Sequence, residues 1–126
     1  IVPIIKLIEL NYKTTPITDI ITQVQESTHS HFNIEIHYAI TNDHAFTLGT
    51  VHTLKLYNCS KLTDVFALGT VHTLILSHCS KLTDVSALGT VHTLTLHYCN
   101  NLTDVSALGS VHTLSIKSCK NMPDTS

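Results

Sequence analysis

Residues 91–110 read VHTLTLHYCNNLTDVSALGS, and nearly the same twenty letters stand before and after them. Aligning the chain on itself puts Leu54, Leu74, Leu94 and Leu114 in one column, and Leu56, Leu76, Leu96 and Ile116 in another two residues on. Cys59, Cys79, Cys99 and Cys119 follow at the same interval, as do Asp64, Asp84, Asp104 and Asp124. A fixed period of this length is the signature of a stacked-repeat architecture. One period earlier, HFNIEIHYAITNDHAFTLG (31–49) fits without a gap, with Ile34 and Ile36 in the Leu columns and Ala39 in the Cys column. A still earlier copy, IKLIELNYKTTPITDI (5–20), places Ile8 and Leu10 in those columns and needs one extra residue before Ile17. The segment QVQESTHS (23–30) absorbs the remaining length and reads as a loop. The count is six rungs, the first two degenerate.

The chemistry of one rung explains the interval. Leu94 and Leu96 alternate with Thr93, Thr95 and His97, the period of two that a short half-buried strand shows. After Cys99, Leu102, Val105 and Leu108 recur every three residues, which predicts a tight 3₁₀ or irregular return. Thr103 or Asp104 is placed to cap that return through a side-chain oxygen. Gly109 is expected to supply the sharp turn into the next strand. Twenty residues leave no room for a long helix as well. A single rung exposes its apolar edges, so the core must be a stack, each rung covered by its neighbours.

The pattern LxxLxLxxCxxLTDVSALG resembles a short leucine-rich repeat of the cysteine-bearing kind. LTDVSALG resembles the segments of bacterial internalin-like repeats, and VHTLxLxxC resembles repeat arrays in large DNA viruses of amoebae. The resemblance covers residues 51–124 closely and 4–49 loosely. It implies a leucine-rich repeat solenoid of about six rungs, with short parallel β-strands on one face and 3₁₀ or irregular return turns on the other. It also implies one domain over 1–126, degenerate over 1–49 and regular over 50–126. Such families are scaffolds for recognising other proteins, a function that spacing alone does not carry.

Composition narrows the classes. Of the 126 residues 43% are hydrophobic, ample for a stacked core, and no apolar run approaches the ~18 residues of a membrane span. The net charge is −2, with seven Lys and no Arg, which argues against a phosphate-neutralising stripe and so against nucleic acid. Ile1 is not an initiator Met, leaving open a removed leader or a longer parent protein.

Repetition turns single residues into ladders. In-register cysteines one rung apart, about 4.8 Å, are wider than the ~3.8 Å between Cβ atoms of a disulfide. A straight row also spreads its sulfurs along a line, whereas a zinc site needs convergence. Cys59, Cys79, Cys99 and Cys119 therefore read as buried free thiols, which point to a reducing, cytoplasmic compartment, or to host cytoplasm or virion if the viral resemblance holds. The triplets Asn58-Cys59-Ser60 and Asn101-Leu102-Thr103 match glycosylation acceptors and point weakly the other way. His52, His72, His92 and His112 read as solvated or mutually stacked imidazoles, with no metal expected, and Asp64, Asp84 and Asp104 as turn caps. The threonine row Thr53, Thr73, Thr93 and Thr113 has Thr two residues on only at Thr95, which argues against an ice-binding array.

No Ser-centred elbow, HExxH or phosphate-cradling glycine loop occurs, because each of the four glycines closes a repeat; no enzyme activity and no cofactor are expected. What varies between the copies is the outward strand face. One outward column reads Glu9, Glu35, Lys55, Ile75, Thr95, Ser115, and the next reads Asn11, His37, Tyr57, Ser77, His97, Lys117. Tyr12, Tyr38, Tyr57 and Tyr98 fall in that second column or directly after it. Tyr favours interfaces because it joins apolar area, a hydroxyl and few rotors. The candidate binding residues are therefore Glu35, His37, Tyr38, Lys55, Tyr57, Ile75, His78, Thr95, His97, Tyr98 and Lys117. The expected partner is another protein, with no membrane contact. The second expectation is a structural component of a larger assembly such as a virus particle, held through the last rung, SCKNMPDTS, which lacks a recognisable polar cap.

Overall fold

The computed structural model describes residues 8–10, 17–26, 32–37, 39–102 and 104–119. Six strands form one sheet in chain order: β1 (Ile8–Leu10), β2 (Phe32–Ile36), β3 (Thr53–Tyr57), β4 (Thr73–Ser77), β5 (Thr93–His97) and β6 (Thr113–Lys117). Every neighbouring pair is parallel. From β3 onward the strands are joined by 3₁₀ turns at Phe66–Thr70, Ser86–Thr90 and Ser106–Ser110. The arrangement is a repeat solenoid-like stack, and no helix among the described residues is long and apolar enough to cross a membrane.

The alternation read from the sequence places the core. Leu54, Leu56, Leu74, Leu76, Leu94 and Leu96 are fully buried, and behind them lie Cys59, Leu62, Val65 and Leu68 with their copies one rung on. Register is fixed rung by rung, Leu54 against Leu74 against Leu94, so each apolar side chain packs on the equivalent one of the next strand. A slip of one residue would turn every Leu outward. The return closes through Leu68 N–H to the Val65 carbonyl (2.9 Å) and Val71 N–H to the Leu68 carbonyl (3.2 Å), a pattern repeated in the next two rungs.

Three expectations need correction. First, the two early connections are α-helical: α1 spans Ile17–Glu26 and α2 spans Asn42–Leu48. Residues 23–26, read as loop, therefore belong to α1, while 27–30 lie outside the described residues. The reason for α2 is local. In the regular rungs Leu62, Leu82 and Leu102 are buried in the core, and no helix starts there. The equivalent Asn42 is exposed, so a helix starts at once, with Thr41 and His44 forming a capping box. Second, β1 is shifted: Leu10 pairs with Ile34, not Ile36, which moves Glu9 beside Asn33 and out of the Glu35–Lys55 column. The shift of two preserves the alternation and shortens the first repeat to 24 positions, Leu10 to Ile34.

Third, the glycines are not there for turning freedom. None has positive φ. A Cβ on Gly69 would meet the Ala87 carbonyl oxygen at 2.5 Å, a Cβ on Gly89 the Ala107 oxygen at 2.5 Å, and one on Gly49 would overlap the Ala67 oxygen. Glycine is required because the next rung's backbone passes against it. The hydroxyls of Thr70, Thr90 and Ser110 donate to the carbonyls of Gly49, Gly69 and Gly89 at 2.6–2.8 Å, drawing those backbones together.

Leu74→Ala, which empties a site between two covering rungs, is expected to lower stability by about 2–5 kcal/mol in urea or thermal unfolding. Gly89→Ala is expected to be clearly destabilising and Gly109→Ala nearly neutral, because a Cβ at Gly109 meets nothing within 4 Å. Equal losses at the two glycines in the same unfolding assay would refute the close-approach explanation.

Candidate functional site

The strand face carries the residues that differ between rungs. Parallel register brings Glu35, Lys55, Ile75, Thr95 and Ser115 into one row, all half-buried. The neighbouring row holds Tyr57, Ser77, His97 and Lys117, preceded by His37. His37 stacks on Tyr57, with ring centroids 4.3 Å apart, and its Nε2 lies 3.2 Å from the Glu35 carboxylate. Burial, and then the charge of Glu35, push the Tyr57 hydroxyl above its usual range, so it stays a neutral donor. Ser77 departs from the outward reading. It is 4% exposed, a small side chain between Tyr57 and His97 on the adjacent strands, and its hydroxyl lies 2.9 Å from His78 Nδ1. So covered a serine presents no nucleophile to solvent.

One step further along the chain is a feature the sequence reading missed. Asn58, His78, Tyr98 and Ser118 all have φ between 56° and 61°. This left-handed conformation turns the chain out of each strand, and the N–H groups of Asn58, His78 and Tyr98 bond to the carbonyls of Ser77, His97 and Lys117. Asn tolerates the conformation; a bulky ring costs about 1–2 kcal/mol there. Asn58 was the legible signal, since Asn is the residue other than Gly most at ease in that region. Yet the chain places His78 and Tyr98 at two of the four positions, exposed and stacked with centroids 4.5 Å apart. His97 meets Tyr98 edge-on at 6.5 Å. His78, His97 and Tyr98 thus form one aromatic cluster, with Lys117 exposed beside it. Tyr38 lies outside the described residues.

The copied columns form ladders along the edges. His52, His72, His92 and His112 stack with centroids 4.5–4.6 Å apart and planes within 14°. Each Nδ1 lies 2.9–3.1 Å from the hydroxyl of the following Thr. Parallel rings send their lone pairs out side by side, not toward a common point, and among the described residues no three His, Cys, Asp or Glu converge as metal ligands. Asp64, Asp84 and Asp104 accept the N–H of Phe66, Ser86 and Ser106 at 2.8–2.9 Å, the turn-capping role read from the sequence. Those hydrogen bonds hold Asp84 and Asp104 below the usual carboxylate range. Cys59, Cys79 and Cys99 are buried free thiols, while Cys119 is only half-buried, a departure from the expectation for all four. Hydrogen bonding between Cys79 and its neighbours Cys59 and Cys99, and then burial, raise its thiol far above the ordinary range. The last rung is less covered than the others: Leu114 is 39% exposed. Residues 120–126, to which the sequence reading assigned an end contact, lie outside the described residues.

No protein-family model matches the chain, and comparison with curated proteins and with solved structures found no match.

Partial desolvation of the stacked ring, and then the neighbouring imidazoles His112 and His72, lower the His92 pKa below its usual value. The unfolded chain therefore binds more protons, so this stabilisation is complete above about pH 6.5 and is lost as pH falls below it. In dilute solution the melting temperature is expected to drop between about pH 7.5 and 5, and His92→Gln to flatten that slope. A flat profile in the parent protein excludes the coupling.

Proposed function

We propose that the chain is a leucine-rich-repeat recognition module of about six rungs that binds another protein through its strand face and the aromatic cluster where the strands end. It binds and does not catalyse, and it works in a reducing, cytoplasmic setting. The observation that supports this reading is Tyr98. A fold-only requirement at that position is met by Asn, as at Asn58, yet the chain carries an exposed aromatic ring in a conformation that costs stability. Backbone strain held by an exposed, stacked aromatic fits an anchor kept for contact. Glu35, His37, Lys55, Tyr57, Ile75, Thr95 and Lys117 extend that surface, and because they differ rung by rung they supply specificity where the framework cannot. Tyr38 belongs to the same strand-end column in sequence.

The test begins with the partner recovered alongside the native chain and identified by mass spectrometry. Tyr98→Asn is expected to leave stability unchanged or raise it by up to about 1 kcal/mol, since the left-handed strain is relieved. The same change is expected to weaken binding by about 2 kcal/mol or more in calorimetric titration, and Tyr57→Ala and His97→Ala to do so without unfolding the chain. Undiminished binding by all three variants would move the contact off this face, toward the assembly-component reading.

A further inference from the structure

Two ladders of opposite chemistry run along this molecule with the same pitch. The imidazoles of His72, His92 and His112 are exposed where the return path meets each strand, and the carboxylates of Asp64, Asp84 and Asp104 are exposed where each 3₁₀ turn begins. Both repeat once per rung, and the histidine rings measure that rung at 4.5 Å. Within one molecule the ladders stand apart: among the described residues the ion pair that forms is His37 with Glu35. Each ladder also works against itself. The charges that act on His92 are those of His72 and His112, and Asp104 acts on Asp84 as a like charge.

The surroundings of each row are simple. Beside the histidines stand the uncharged Thr73, Thr93 and Thr113, whose hydroxyls meet the Nδ1 atoms. On the aspartate side, Lys61 and Lys81 share the same return segments, and Asp43 and His44 occupy the preceding turn of α2. Once cationic, His72, His92 and His112 form a line of N–H donors that pairs with no carboxylate among the described residues. A row of anions at the same pitch exists on this chain.

We propose that below neutral pH the histidine ladder of one molecule docks on the Asp64–Asp84–Asp104 ladder of a second copy. A single exposed ion pair is weak and salt-screened, but two rigid rows matched rung for rung engage three pairs at once, so the contact acts as one multivalent unit. It joins two different surfaces, so a pair of molecules leaves one ladder of each kind unused and further copies can add. The contact needs imidazolium on one row and carboxylate on the other, a condition met in mildly acid solution.

Sedimentation velocity of the full chain in low salt tests this. The expected result is monomer at about pH 7.5 and at least a roughly twofold rise in weight-average mass at about pH 5.5, reversed by about 0.5 M salt. H72Q/H92Q and D84N/D104N are each expected to stay monomeric at the lower pH. Asn keeps the turn-capping oxygen and removes only the charge, and circular dichroism verifies folding. Mixing the two variants is the decisive arm. One retains the aspartate ladder and the other the histidine ladder, so a one-to-one complex forms that does not extend. S86K/S106K, which places cations at exposed positions beside the aspartates, supplies an independent arm and is expected to abolish association. A parent chain that stays monomeric at pH 5.5, association that persists in either double variant, or a mixture that fails to pair overturns the proposal.

Discussion

Everything in this molecule depends on one rung lying flat against the next. The apolar side chains of a twenty-residue coil cannot cover one another, so Leu74 and Leu76 leave water only because Leu54, Leu56, Leu94 and Leu96 lie on either side. That burial is the dominant favourable term, and it is won one interface at a time. The closeness it demands is set by the backbone at the return: Gly69 and Gly89 have no side chain because the carbonyls of Ala87 and Ala107 occupy the space. The hydroxyls of Thr90 and Ser110 then bond across the same gap, so the steric and polar requirements select the same spacing.

Stacking of near-identical rungs has a second consequence, which is chemical. Any residue kept in the repeat becomes a row, and a row behaves differently from its members. Four histidines become a stacked column in which each ring acts on the next. Four cysteines become a line of thiols, with Cys79 held protonated between its neighbours. Three aspartates cap three turns by the same hydrogen bond. The framework therefore has little freedom to specify a partner, and specificity falls to the strand face and strand ends, where the copies diverge. Tyr98 and His78 carry that divergence at a cost in backbone strain, whereas Asn58 occupies the same position with ease.

The strand positions, their inward and outward faces, the 3₁₀ returns of the regular rungs and the capping aspartates were all legible from the sequence, because each rests on periodicity or on a bond within a few residues. The burial of Leu62, Leu82 and Leu102 follows from the same repeat. Copying supplied the rest of the legibility, since a position read four times shows which columns are kept and which vary.

What only the tertiary structure decided lies where neighbouring rungs impose conditions on each other. Gly49, Gly69 and Gly89 look like turn residues in a single rung and prove to be clearance for the next one. β1 pairs two residues away from its best sequence alignment because the alternation of a strand is indifferent to a shift of two, and only pairing with β2 fixes which register holds. The left-handed column at Asn58, His78, Tyr98 and Ser118 has no Gly to announce it, and at the first three positions it goes with an N–H bond to the following strand. Ser77 shares an outward column with Tyr57 and His97 yet is covered, because exposure is set by the size of the flanking side chains and not by the residue itself. Periodicity is a property of one chain read along its length; clearance, register and exposure are properties of two rungs in contact.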